Sequence, residues 1–124
     1  MDFKIELIFV PVSDVDRAKH FYADQLGFNV DYDQTVNDEI RFVQITPPGS
    51  ACSIAFGKGL TEMPVGSQRG VQMVIDDADA AREQLIANGV DASEVEDLAW
   101  GRFVTFEDPD GNRWTLQQMP VRSQ

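Results

Sequence analysis

The chain has 124 residues, of which 43% are hydrophobic and 25% charged, and its formal net charge is −11. This length indicates a single globular domain, and the acidic balance argues against binding a nucleic acid backbone, which requires a basic face. No apolar run approaches the roughly 20 residues that span a bilayer, and no basic leader precedes the first strand. The single cysteine, Cys52, excludes an internal disulfide and favours a reducing, cytoplasmic location.

The first predicted strand covers residues 3–12, and its apolar residues on both faces indicate a strand that is covered on both sides. Asp14 then predicts a helix N-cap, and Gly27 predicts the end of that helix. Residues at helical spacing form one apolar face, which comprises Val15, Ala18, Phe21, Tyr22 and Leu26. Three further strands are predicted at residues 28–33, 40–45 and 51–56.

The second half of the chain repeats this order. The sequence Arg-Phe-Val at residues 41–43 recurs at residues 102–104. A strand is predicted at 71–75, a helix at 77–88, a weak strand at 90–96, and two more strands around the Asp-Pro-Asp-Gly-Asn turn at 108–112. We therefore predict an α+β fold of two tandem βαβββ modules that form a curved mixed sheet. Module 1 is predicted at residues 1–57, a linker at 58–69 and module 2 at 70–120. Neither module is large enough to bury a good core alone.

Strand alternation divides the strand residues between two faces of each sheet. One face is apolar and is predicted to pack against the helices through Ile8, Val10, Val12, Val43, Ile45, Ile54, Val71, Met73, Ile75, Val104, Phe106, Trp114 and Leu116. The other face mixes bulky apolar and uncharged polar groups: Leu7, Phe9, Phe42, Gln44, Ser53, Ala55, Gln72, Val74, Phe103, Thr105, Thr115 and Gln117. A core face seldom includes three glutamines, so this face predicts a groove for a small organic molecule. The alternative is an open, solvated sheet face.

Few side chains offer other chemistry, and we predict no catalytic residue. The single histidine, His20, is expected on the water-facing side of its helix. Cys52 is expected to be a small buried hydrophobe on the helix side of its strand. The acid pairs at residues 76–77 and 96–97 are expected to cap a helix or remain solvated. The sequence has no nucleophile elbow, phosphate loop or Cys-x-x-Cys motif.

Three stretches carry a resemblance to a known family: VPVSDVDRAKHFYADQLGF at residues 10–28, VIDDADAAREQLIANGV at 74–90 and WGRFVTFEDPDGNRWTL at 100–116. Together they resemble the vicinal oxygen chelate superfamily of glyoxalases, extradiol dioxygenases and bleomycin-resistance proteins. The resemblance implies two modules that curl into a deep cup, commonly in a homodimer, and a divalent metal in the cup of the family's enzymes. It implies four metal-ligand positions, at Leu7, Ser53, Gly70 and Thr115.

None of those four residues offers an imidazole, thiolate or carboxylate ligand. The leading hypothesis is therefore a metal-free, cofactor-free protein similar to bleomycin-resistance proteins, which sequesters a small organic ligand. We expect a cationic or aromatic ligand, a bacterial cytosolic setting, a homodimer, and no nucleic acid or membrane partner. The predicted ligand-binding residues are Leu7, Phe9, Phe42, Gln44, Ser53, Gln72, Trp100, Phe103, Thr115 and Gln117.

Two other functions remain open at this stage. One is a metal-dependent lyase or dioxygenase of the same superfamily, with a different ligand register. The other is an interaction or regulatory module whose cup is vestigial. Trp100 could line the rim of the cup or belong to the core. The sequence does not specify the ligand, or whether a dimer exchanges its modules.

Overall fold

A computed structural model describes residues 1–121, and over this range it contains eight strands, two α-helices and a π-helical segment that continues the first helix. Module 1 consists of β1 (Leu7–Phe9), α1 (Val15–Lys19), β2 (Asn29–Thr35), β3 (Arg41–Thr46) and β4 (Ser53–Lys58). Module 2 consists of β5 (Val71–Val74), α2 (Ala78–Ala87), β6 (Glu96–Leu98), β7 (Gly101–Glu107) and β8 (Arg113–Gln118). Within the described range, neither helix is long and apolar enough to cross a membrane.

Both modules have the same sheet topology, which confirms the predicted repeat. The strand order is β1-β4-β3-β2 in the sheet of module 1, called sheet 1, and β5-β8-β7-β6 in the sheet of module 2, called sheet 2. In each sheet the first strand runs parallel to the fourth, and the remaining pairs are antiparallel. The eight strands thus form two four-stranded mixed sheets, with β1 and β5 at the sheet edges.

Both helices begin at the predicted aspartate caps. Asp14 Oδ1 accepts from the backbone N–H of Arg17 at 3.0 Å, and Asp77 Oδ1 accepts from that of Ala80 at 3.1 Å. The first helix departs from the expected α-helix, because α1 continues as a π-helical segment over His20–Gln25. The N–H of Leu26 bonds to the carbonyl of Phe21, five residues earlier, at 3.0 Å. This wider turn is compatible with the burial of two successive side chains, Phe21 and Tyr22.

The helix of module 1 joins both sheets into one core. The ring of Tyr22 lies 5.5 Å from that of Phe56 in sheet 1 and 5.9 Å from that of Trp114 in sheet 2. Phe21 lies 6.2 Å from Phe106, also in sheet 2. All of the predicted helix-facing residues except Ile8, which lines a cavity, belong to or pack against this cluster. Because both sheets direct one face into a shared core, their other faces point away from it.

The Asp108–Asn112 turn fixes module 2 against module 1. The buried carboxylate of Asp108 accepts from the Tyr22 hydroxyl at 2.6 Å, and from the side chain of Asn112 at 2.8 Å. Asn112 also donates to the carbonyl of Pro11 at 2.8 Å. Gly66 has a φ of +74°, and a Cβ there would lie 2.1 Å from the carbonyl oxygen of Asp110. The residues between β4 and β5 therefore pack closely onto this turn.

Two predicted strands are wrong in extent. The first covers only Leu7–Phe9, and both Phe3 and Ile5 are exposed, at 90% and 73%. The reason is that β4 begins at Ser53, opposite Leu7, so residues 1–5 have no strand beside them. The weak strand predicted at 90–96 lies instead at Glu96–Leu98. Its register is set by the hairpin in which Leu98 pairs with Gly101.

Candidate ligand-binding site

The face of sheet 1 that points away from the core brings five predicted ligand residues together. The register places Leu7 opposite Ser53, and both Phe9 and Gln44 opposite Ala55. Phe42 lies two residues before Gln44 and therefore on the same face. We call this surface the module-1 face, which comprises Leu7, Phe9, Phe42, Gln44 and Ser53.

The corresponding face of sheet 2 brings four more together. Gln72 pairs with Thr115, and Phe103 pairs with Gln117. We call this surface the module-2 face, which comprises Gln72, Phe103, Thr115 and Gln117. Trp100 lies in the β6–β7 turn, where its carbonyl accepts from Gln117 Nε2 at 2.9 Å. Its side chain is 61% exposed, so it is not a core residue.

A hydrogen-bonded chain of three residues runs across the module-1 face. The β2–β3 register shifts between Val30 and Tyr32, which leaves Asp31 at a β-bulge. Thr46 Oγ1 donates to Asp31 Oδ2 and lies 2.6 Å from Ser53 Oγ. Asn29 donates to the other carboxylate oxygen at 2.8 Å. The hydrogen bond from Thr46, more than that from Asn29, lowers the pKa of Asp31 below its usual value.

Sequence reasoning missed Asp31 and Thr46. Alternation could have assigned Thr46 to the module-1 face, because it lies two residues after Gln44 on one strand. The bulge at Asp31 has no comparable signal, because nothing in the local sequence marks the extra residue. His20, by contrast, is exposed as predicted and lies 2.9 Å from Asp24, outside both faces.

A profile of the Glyoxalase/Bleomycin resistance protein/Dioxygenase superfamily matches residues 4–116. The chain belongs to this superfamily. It is 36% identical to TnmS3, an antibiotic binding protein from Streptomyces sp. CB03234, with a TM-score of 0.87 over 96% of this chain and 98% of that one. A glyoxalase/bleomycin resistance protein from the same organism is 37% identical, with a TM-score of 0.81 over 93% and 100%. The uncharacterized protein YetH of Bacillus subtilis (strain 168) is 26% identical over 93% of this chain and 98% of its own length.

The side chains at the positions where the resemblance implies metal ligands do not fit a transition metal. The register places Gln72, not Gly70, opposite Thr115, as Leu7 lies opposite Ser53. The corrected set supplies a hydrocarbon, an amide and two hydroxyls, whereas such metals bind imidazole, thiolate or carboxylate. Over residues 1–121, no three His, Cys, Asp or Glu side chains are grouped to hold a metal.

The described chain also contains a cavity of about 770 Å³, on the helix side of the sheets. It lies between β1, β5 and α2, with Ile8, Met73 and Leu85 in its wall. Gln72 alone of the ten predicted ligand residues lines it, so it is distinct from the two faces. Cys52 also lines it and is half-buried, not fully buried as expected, and this burial raises the pKa of its thiol.

Proposed function

We propose that this superfamily member binds and sequesters a small organic molecule without a metal. The argument rests on the donor chemistry at Leu7, Ser53, Gln72 and Thr115, which suits a guest molecule better than a transition metal. The likeness to a protein whose name describes antibiotic binding supports the same class of function. A cytoplasmic site of action is compatible with the free Cys52.

The two faces offer complementary contacts to such a ligand. Phe9, which is 38% exposed, and the half-buried Phe42 supply apolar area for an aromatic or aliphatic portion, whereas Phe103 is buried at 7% exposed. Gln44, Gln72, Thr115 and Gln117 can orient it through hydrogen bonds, and Asp31 gives the module-1 face a negative charge that favours a cationic group. This combination of apolar walls and a few polar groups is typical of small-molecule sites.

The proposed binding unit is a homodimer, because each sheet directs its other face into the shared core, so the module-1 and module-2 faces of one chain lie on its outer sides. A second copy could place its module-2 face opposite the module-1 face of the first. The edge strands β1 and β5 have an unpaired side, and Phe3, Ile5 and Val74 expose apolar area near them. Residues of this kind are expected at an interface between copies.

Native mass spectrometry tests the metal, the ligand and the assembly together. The protein is reconstituted with zinc, nickel, iron or manganese, desalted and sprayed with a panel of antibiotics. We expect an assembly of twice the 13.9 kDa chain mass, no stoichiometric metal, and at least one antibiotic adduct whose mass is unchanged after incubation. One transition metal per chain, or conversion of the bound compound, would overturn the proposal in favour of a lyase or dioxygenase.

A pair of variants separates the dimer from the other claims. Val74→Glu places a charge on edge strand β5 and is expected to give the monomer mass. Ile86→Glu places the same charge at an exposed position of α2 and is expected to leave the dimer mass unchanged. A dimer that survives Val74→Glu as well as Ile86→Glu would contradict an interface along β5.

A further inference from the structure

The hydrogen bonds that link Asp31, Thr46 and Ser53 on the module-1 face have a fixed direction of donation. Asp31 accepts hydrogen bonds from Asn29 and Thr46, and Gln44 Nε2 makes a long contact of 3.5 Å with the same carboxylate. An ionised carboxylate only accepts, so the Thr46 hydroxyl must donate its single proton to Asp31. The bulge in β2 holds the carboxylate in this position.

Because the Thr46 hydroxyl donates to Asp31, it also determines where the Ser53 hydroxyl donates its proton. The two hydroxyl oxygens lie 2.6 Å apart, which requires a proton between them. Since the Thr46 proton already points to Asp31, the proton of the Ser53 hydroxyl must point to Thr46. Ser53 therefore has no proton left for a ligand, and its Oγ can act only as an acceptor.

We infer that the module-1 face binds its ligand through a hydrogen-bond donor, a hydroxyl or ammonium group, placed at Ser53 Oγ. The inference rests on the proposed ligand-binding function and specifies the chemistry of the group that the face selects. Ser53 is only 5% exposed, so a small donor group reaches it more readily than a bulky one. Leu7, opposite Ser53, supplies an apolar neighbour for the carbon skeleton that carries this donor.

Module 2 offers no equivalent preference. Thr115 occupies the position that corresponds to Ser53, and its neighbours across the sheet are Gln72 and Thr105. Both neighbours are neutral and can donate or accept, so the Thr115 hydroxyl is free to rotate towards either kind of ligand group. The donor preference is therefore a property of the module-1 face.

Matched naphthalene probes test the preference by NMR titration. The probes are 1-naphthol, 1-naphthylmethylamine (protonated at neutral pH) and 1-methoxynaphthalene, which has no donor. We expect the two donors to bind the wild-type protein about tenfold more tightly than the methyl ether, as for one hydrogen bond to a buried acceptor. Ser53→Ala and Thr46→Val should remove most of this difference, whereas Ser67→Ala, in the segment between the modules, should retain it.

The Asp31→Asn variant distinguishes the effect of the carboxylate charge from the effect of the hydrogen-bond direction at Ser53. The variant removes the negative charge and allows Thr46 to reverse, so the advantage of the ammonium probe should fall more than that of 1-naphthol. A measurement without ligand tests the hydrogen bond between Thr46 and Asp31 directly. In ¹³C NMR titrations of the Asp31 carboxyl, Thr46→Val should raise its pKa relative to wild type, while Ser67→Ala should not.

The outcomes separate this inference from the proposed function. Equal binding of all three probes, or an unchanged preference in Ser53→Ala, would overturn the donor inference while small-molecule binding still stood. An unchanged Asp31 pKa in Thr46→Val would overturn the directed chain. Binding of none of the probes would also overturn the inference, and the native mass spectra with antibiotics would then decide the proposed function by themselves.

Discussion

The two modules share an ion cluster that the repeated sequence encodes. In module 1, Arg41 binds Asp16 at the start of α1 and Asp33 on β2, each at 2.9 Å. In module 2, Arg102 binds Asp79 at the start of α2 at 2.8 Å and Asp97 on β6 at 2.7 Å. In each case an arginine of the third strand holds the helix start against the second strand. The repeated Arg-Phe-Val therefore marks a requirement of the fold.

The modules differ in their last turn and in their outward face. The turn between β3 and β4 is exposed, and within the described residues its Ser50 bonds only inside the turn, to Pro47 through its backbone and to Cys52 through its side chain. The turn between β7 and β8 contains the buried Asp108 and joins the modules. Likewise, the module-1 face has the carboxylate of Asp31, while the module-2 face is neutral. The ion cluster that repeats thus holds each module together, whereas the features that do not repeat join the two modules or carry the proposed ligand preference.

The two modules should differ most in how a substitution in the last turn of each one changes the free energy of unfolding. Asp108→Ala removes the acceptor of the Tyr22 hydroxyl and one of the two acceptors of the Asn112 side-chain amide, and we expect a loss of about 3 kcal/mol in the free energy of unfolding. Ser50→Ala, in the exposed turn of module 1, should cost less than about 0.5 kcal/mol. Urea unfolding followed by circular dichroism measures both. Equal losses in the two variants would mean that the buried turn does not join the modules.

The ion clusters allow a finer comparison. Arg41 and its partner Asp33 are 23% and 22% exposed, and only its second partner, Asp16, is well exposed. Arg102 is 34% exposed, and both of its partners are well exposed. Because solvent screens exposed pairs, Arg41→Ala should lower the free energy of unfolding by about 1 kcal/mol, and Arg102→Ala by less. The gap between the variants should narrow when urea unfolding is repeated at about 1 M salt, roughly sevenfold above physiological ionic strength. A larger effect at Arg102 would contradict this ranking.

The sequence predicts the repeat, the aspartate caps and the helix-facing residues, because each depends on local periodicity and capping chemistry. It does not predict the π-helical segment of α1, which arises where Phe21 and Tyr22 pack into a core shared with module 2. It also does not predict that the two ligand faces are separate in one chain. That separation depends on how α1 lies between the sheets, and no spacing along the chain encodes it.

The three-residue chain at Asp31 has the same origin. Alternation predicts which residues share a face but not where a bulge turns an extra side chain into it. Strand alternation predicts that Ser53 lies on the module-1 face, but its hydrogen-bond direction follows only from Asp31 and Thr46, which lie on other strands. Polar groups that act through a neighbour are thus the part of a site that spacing reveals least.

Acid titration gives the smallest and most specific test of the two ion clusters. The guanidinium of Arg41, and then the ammonium of Lys19, lowers the pKa of Asp33 from 3.8 to about 2. The unfolded chain binds a proton at Asp33 more readily than the folded chain. This stabilisation is therefore fully present above about pH 4 and is lost as the pH falls through about 2. Allowing for solvent screening, its size should be under about 1 kcal/mol. Urea unfolding at each pH gives the free energy of unfolding as a function of pH, and Asp33→Asn should flatten this curve below about pH 4.

Asp79→Asn is the matched variant in module 2, where Arg102 lowers the pKa of Asp79. It should change the curve less, because Asp79 is more exposed than Asp33. Parallel curves for wild type and Asp33→Asn below about pH 4 would show that the pKa of Asp33 is the same in the folded and unfolded chain, and would contradict a stabilising role for its pairing with Arg41.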